Sequence, residues 1–316
     1  MRPFILRVFG FGALLTVLLV GAQLFYTTIV RAGVHRTDRE FWEASDDVSI
    51  LVIGDSHARN GFDTREIGGS YNLTTSGENF VQTYFKLKAV LADSARGRSI
   101  HTVVVPFDLH SFSSYKSHRF PEMYFWDRYV DWGEVGRALG DPWGFRIRSL
   151  VERAFPYAGN WRILRSWALG SGIPEQEFEA GFLVERESLT RLTPSERAHG
   201  PFERAGHHFA GQRHPDPMML EYFRKILELC EVTGKEVLLV RYPVTDECLA
   251  AAVDSFGVDP ALPGPEALAA RYGHFPLQEY WRAFGDRPEL FFDPDHLNQA
   301  GAREFTRMLR RHLGRN

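Results

Sequence analysis

The stretch Val48–His57, VSILVIGDSH, decides the fold. An apolar run from Val48 to Ile53, broken only by Ser49, stops at Gly54, as a central parallel strand does where it enters a tight turn. Similar runs follow in HTVVVPF (101–107), KEVLLVRYP (235–243) and ELFFD (289–293), with a shorter candidate in YNLTT (71–75). Helical patterns lie between them at 79–95, 216–233 and 299–313. The last two place apolar residues at three-and-four spacing, as in Leu220, Phe223, Ile226, Leu227 and Cys230, and Gly234 is a natural stop. Alternating strands and helices predict an α/β fold with a mostly parallel sheet. Ligands bind such sheets beyond the carboxyl ends of the strands, so the residues after Ile53, Thr75, Phe107, Tyr242 and Phe292 are where chemistry is expected.

Upstream, Val8–Val30 is 23 residues without a charge, enough as a helix for roughly 34 Å and so for a bilayer crossing. A cleaved leader would have a shorter apolar core ending at small residues, whereas Gln23, Phe25 and Tyr26 follow this one; an uncleaved anchor over 1–31 is expected. A linker (32–47) and a body (48–316) follow. Within the body, about 111–215 breaks the strand–helix rhythm with Trp126, Trp132, Trp143, Trp161, Trp167, many arginines and several Gly/Pro breaks. It reads as an insertion, either an aromatic cap on its own sheet or a surface for a glycan or a partner.

The 316 residues are 44% hydrophobic and 24% charged, which excludes a disordered tail and a multi-span transporter. Net charge is −3, and beyond Arg31 the chain carries 34 basic against 40 acidic side chains, so no nucleic-acid partner is expected. Two cysteines, Cys230 and Cys248, cannot build a disulfide scaffold or a four-thiolate zinc site; they pair, or Cys230 is simply core. His199, His207, His208 and His214 lack a ligand spacing, so no metal and no cofactor are expected.

In GDSH a small hydroxyl, Ser56, sits at the carboxyl edge of the first strand, where backbone N–H groups of a following helix can be aimed at it. In DPDHLN, Asp293 ends the last apolar run and His296 comes three residues later. A carboxylate at that spacing reaches the imidazole Nδ1, fixes its tautomer and leaves Nε2 to take a proton from a serine. Alone, each piece also reads as a turn with a capping side chain; together they fill the roles of nucleophile (Ser56), base (His296) and orienter (Asp293).

With those residues in place, the chain resembles the SGNH (GDSL-like) hydrolase and acyltransferase superfamily, through GDSH (54–57) as first block and Asp293 with His296 as the terminal D-x-x-H block. The resemblance implies an enzyme with a flavodoxin-like three-layer α/β/α fold and the three roles just given. The anchor placed shortly before GDSH is similar to the membrane-tethered members, the alginate-acetylation proteins and the D-alanyl transfer proteins. From them follow a cytoplasmic N-terminus, a body on the periplasmic or extracellular side, acyl (chiefly acetyl) esters of an exported or cell-envelope glycan as substrate, and a membrane-bound O-acyltransferase as partner. Hydrolase and transferase share every residue named. Gly77 fits the second block, its N–H joining that of Ser56 as an oxyanion donor. The third block, usually G-x-N-D, is replaced by PFDLH, with Asp108 and His110 where its asparagine belongs; Asn79 is a substitute donor or a helix cap. His57, Arg59 and Asp108 are candidate substrate contacts, with a solvated surface arginine the alternative for Arg59. The rival function is a non-catalytic, membrane-tethered glycan-binding or acyltransferase-partner protein on the same fold.

Overall fold

The computed structural model describes residues 2–30, 35–43, 47–117, 120, 122–155, 165, 169 and 176–313. The chain forms two compact units, Met1–Arg39 with Pro121–Gln176 and Glu40–Phe120 with Glu177–Asn316.

In the second unit the strands are β1 (Ile50–Gly54), β2 (Ser70–Thr74), β3 (Thr102–Pro106), the short hairpin β4 (Phe178–Glu179) and β5 (Phe182–Leu183), β6 (Glu236–Arg241), β7 (Leu277–Glu279), and a last hairpin of β8 (Phe291–Asp293) and β9 (His296–Leu297). A five-stranded sheet in the order β2-β1-β3-β6-β7 is parallel throughout. The chain leaves β1 to one side for β2 and returns to the other side for β3. The order therefore reverses beside β1, which opens a crevice at the carboxyl ends of β1 and β3.

Helices Phe80–Ala92, Pro217–Val232 and Gln299–Arg310 occupy the three periodic segments, each begun by a side-chain cap from Asn79, Asp216 or Asn298. Every second strand residue, Ile50, Val52, Val104, Leu238 and Val240, packs with Ala58, Phe62, Phe305 and Leu309 in one buried cluster. Leu51, Ile53, Val103, Val105 and Leu239 point to the opposite face and are also buried. Burial of both faces is why the strand sequences are continuously apolar rather than alternating.

One expectation about strands and one about the insertion need correction. ELFFD does not join the parallel sheet: β8 pairs antiparallel with β9, because Pro294 has no N–H to continue a ladder and Asp293 turns the chain back through its side chain, accepting from the N–H groups of Asp295 and His296. The sheet edge is instead β7, three residues with no apolar run to announce them. Part of the presumed insertion is also regular, since Pro194–Phe209 is a helix opened by a Thr193/Glu196 capping box and belongs to the same unit as the sheet.

The first unit contains a helix, Arg2–Phe25, and overlapping it a largely exposed stretch, Pro3–Thr28, of mean hydropathy 2.2, long and apolar enough to cross a membrane. At its end Tyr26 is buried, its hydroxyl 2.9 Å from that of Tyr124. Asp38 accepts from Arg128 and from the Tyr129 hydroxyl, both at 2.6 Å. Trp126 and Trp132 are buried and Trp143 is exposed; Trp161 and Trp167 lie outside the described residues.

Phe305 is fully buried and meets the rings of Tyr242 and Tyr280 at 5.3 and 5.5 Å. Phe305→Ala is expected to lower the unfolding free energy by about 3–5 kcal/mol in chemical denaturation, and a loss under about 1 kcal/mol would show that this face of the sheet is not a packed core.

Candidate active site

Gly54 ends β1 at φ +121°, and a Cβ there would come within 2.5 Å of the Pro106 ring, so only glycine lets the chain turn this close to β3. Asp55 follows as the N-cap of the short helix Ser56–Gly61, and Ser56, half-buried, is its first residue. From the other end of the chain the β8–β9 turn brings up Asp293 and His296. His296 Nδ1 lies 2.9 Å from both Asp293 carboxylate oxygens, and its Nε2 lies 2.8 Å from Ser56 Oγ. A carboxylate only accepts, so Nδ1 carries the proton and Nε2 is left as the acceptor for the serine hydroxyl. The three side chains named from the sequence are thus within hydrogen-bond reach of one another in the order that proton transfer from Ser56 requires.

Beneath this row lies a buried charged network. Asp295, between the two hairpin residues, accepts from Arg204 Nε at 2.7 and 2.8 Å and stands 3.2 Å from His296 Nδ1, 3.3 Å from His57 Nε2 and 3.4 Å from His208 Nε2. Arg204 also places Nη2 at 3.1 and 3.3 Å from the two His296 ring nitrogens. His57 is flanked on its other nitrogen by Asp108, 3.3 Å from Nδ1. Asp55 accepts from His110 Nε2 at 2.6 Å and from Lys116 Nζ at 2.7 Å.

Burial opposes charge at each of these groups, and the partners decide which side wins. Burial works against protonating His57, but Asp108 and Asp295 outweigh it and carry its pKa to about 10. Burial raises Asp55, yet Lys116, His110 and His57 hold it well below the usual carboxylate range. Asp295 is likewise held low against burial, by His296, His208, His57 and Arg204. For Asp108 burial prevails over His57 and its carboxyl is pushed up. His110 is driven well below its ordinary value by burial and the neighbouring His57 charge, and burial takes His208 down to about 4 despite Asp295. The resting network is therefore cationic His57 between two acids, with neutral His110 and His208.

The remaining candidates fall differently from the sequence reading. His57 and Asp108 are buried and face each other, Asp108 also accepts from the Tyr242 N–H at 2.7 Å, and both line a small cavity beside the network. Asn79 is a helix cap: its Oδ1 accepts from Gln82 N–H, and its Nδ2 donates to the Lys116 carbonyl. Gly77 sits at φ +75° in the exposed turn beyond β2, the strand next to β1. Arg59 is not a solvated surface arginine. Its Nε is buried without a hydrogen bond, and burial lowers its pKa to about 10 against the attraction of Glu185 and Asp55. His207 meets the Tyr115 hydroxyl at 2.7 Å, and His214 Nε2 donates to the Leu109 carbonyl. Cys230 and Cys248 are buried and free.

Asp295, Arg204 and Lys116 are not among the residues expected from the sequence, and His208 is among them only as a histidine without a ligand spacing. The signals present were the second acid of DPDH and the capping box of TPSE (193–196), which turns Arg204 and His208 from loop residues into neighbours one helical turn apart. Among the described residues two groups bring one ligand atom each within 4.8 Å, His57 with Asp108 and His110, and His57 with Asp295 and His296. In the second group Asp295 already has Arg204 as a counter-ion. A cavity of about 50 Å³ adjoins the network, lined by His57, Asp108, His208 and Tyr242 among others.

No family model and no curated protein matches the sequence.

A folded-state pKa raised above the unfolded value contributes stability that is complete below the unfolded pKa and disappears as the pH rises through the folded one. The stability difference between the native chain and His57→Gln should therefore be largest below pH 6.5 and shrink toward about pH 10 in denaturation curves. A difference independent of pH over that range would show that His57 is not held as a cation.

Proposed function

We propose that this chain is a membrane-anchored serine esterase or O-acyltransferase of the SGNH type, acting on acyl esters, acetyl first among them, of an exported or cell-envelope glycan. The observation that carries the reading is the row Ser56–His296–Asp293, at 2.8 and 2.9 Å. In the first half-reaction His296 Nε2 takes the Ser56 proton as Oγ attacks the ester carbonyl, and the new imidazolium is stabilised by Asp293. The Ser56 and Gly77 N–H groups receive the oxyanion, and His296 returns its proton to the departing alkoxide. Water, or a sugar hydroxyl, then gives up a proton to His296 and attacks the acyl-serine, which makes the outcome hydrolysis or transfer.

The parallel sheet with its switch point beside β1 agrees with a flavodoxin-like three-layer arrangement, and the Pro3–Thr28 stretch with an uncleaved anchor. On this reading the body faces the periplasm or the exterior and works beside a membrane-bound O-acyltransferase. A second reading, a non-catalytic glycan-binding partner, is favoured by one observation: with Asn79 committed as a cap and Asp108 buried against His57, the oxyanion would rely on two backbone donors.

Ser56→Ala is expected to reduce turnover of aryl acetates or acetylated glycan, or transfer to a glycan acceptor, by at least about 10³-fold with the fold unchanged by circular dichroism. Full activity in Ser56→Ala would remove the triad, and a native chain inert toward every ester and acceptor would establish the non-catalytic reading.

A further inference from the structure

The helix Pro142–Ala154 in the first unit is built inside out. Asp141 caps it and Pro142 occupies its first turn. At 100° per residue, Trp143, Ile147, Leu150, Val151 and Ala154 share an arc of about 100°. That arc faces outward: Trp143 is 70% exposed, Leu150 61%, Ile147 59% and Val151 47%. Its two buried polar residues, Ser149 and Glu152, face the protein. Ser149 is buried and donates to Asp127 at 2.5 Å, while buried Glu152 accepts from Arg148 at 2.9 Å. The helix of a water-exposed surface has the opposite arrangement, so this face is made for an apolar environment.

The structure indicates which environment. The membrane-length helix belongs to the same unit, and Tyr26 at its end meets Tyr124 through their hydroxyls. Tyr124 lies in the helical turn Met123–Trp126, which packs directly on Pro142–Ala154. The helix with the outward apolar face thus packs on the same element that meets the end of the apolar span. Arginines border the apolar arc on both sides, Arg146 and Arg153 along one edge and Arg148 along the other, and the Arg146 guanidinium lies 5.8 Å from the Trp143 ring centre. Tryptophan and arginine so placed match a layer of acyl chains beneath a layer of phosphates.

We propose that Pro142–Ala154 is an interfacial membrane helix, with Trp143, Ile147, Leu150 and Val151 among the acyl chains and its arginines at the lipid phosphates, a second membrane contact beside the spanning helix. The inference rests on the anchoring argued under Proposed function and is independent of the catalytic reading. A single span leaves the attached unit free to rotate and tilt; a second contact removes that freedom.

The test uses the full chain in nanodiscs of phosphatidylcholine and phosphatidylglycerol, one copy per disc, with a nitroxide on Ile147→Cys or Leu150→Cys. The native cysteines are buried, so the unsubstituted chain gives the labelling background. Leu14→Cys serves as the spanning control and Val232→Cys, 85% exposed, as the solvent control. Collision rates with oxygen and with a water-soluble nickel chelate are read at each site. Labels at 147 and 150 should favour oxygen over nickel as the Leu14 label does, with the reverse at 232. Nickel access at 147 and 150 beside an oxygen-favouring Leu14 label would overturn the interfacial helix and leave the anchor standing. Exclusion of both reagents would overturn it in favour of a protein surface covering the face. A Leu14 label open to nickel would overturn the anchor and the inference together.

Discussion

A hydrogen bond of 2.8 Å between Ser56 Oγ and His296 Nε2 joins residues 240 positions apart, and the second unit is arranged around it. It forms because each partner leaves its strand on a short, fixed tether. Gly54 brings β1 against Pro106 and places Ser56 one residue beyond a capped turn. Asp293 folds the β8–β9 turn around its own carboxylate and fixes the imidazole it addresses. A slip of one residue in β1 would exchange its two buried faces, so the apolar pattern that specifies the sheet also specifies where the hydroxyl emerges.

The row stands on buried charge, and burial is costly unless every charge has a partner. Here the charges are matched locally: Asp55 by Lys116, Asp295 by Arg204, and Asp108 with Asp295 by the cation on His57. The matching explains how His57 and Asp108 can both be buried beside the Ser56 turn. They hold the Ser56 turn and the β8–β9 turn in one electrostatic frame, with Asp295 the shared member. Arg204 extends the frame to the Pro194–Phe209 helix, which makes part of the presumed insertion a structural component of the site.

The central strands were legible because both of their faces are buried and their sequences are therefore continuously apolar, as in Ile50–Gly54 and Glu236–Arg241. Ser56 was legible because it closely follows such a strand, and Asp293 with His296 because of their three-residue spacing. The edge strand Leu277–Glu279 was not, since two half-exposed residues and an exposed one bear no pattern, and ELFFD misled because a hairpin buried on the sheet has the same composition as a strand within it. Asn79 has two meanings in the sequence, and its capping box with Gln82 accounts for one of them. Arg204 and His208 could not be found from spacing, because ion pairs to Asp295 across about 90 residues depend on how a helix docks and not on local sequence.

The most direct measurement is covalent labelling of the full-length protein with a fluorophosphonate, followed by peptide mass spectrometry to find the adduct. A hydroxyl activated by His296 should be modified at Ser56 alone, and His296→Ala should slow the labelling sharply. An adduct elsewhere, no adduct on Ser56, or unchanged labelling in His296→Ala would contradict the account.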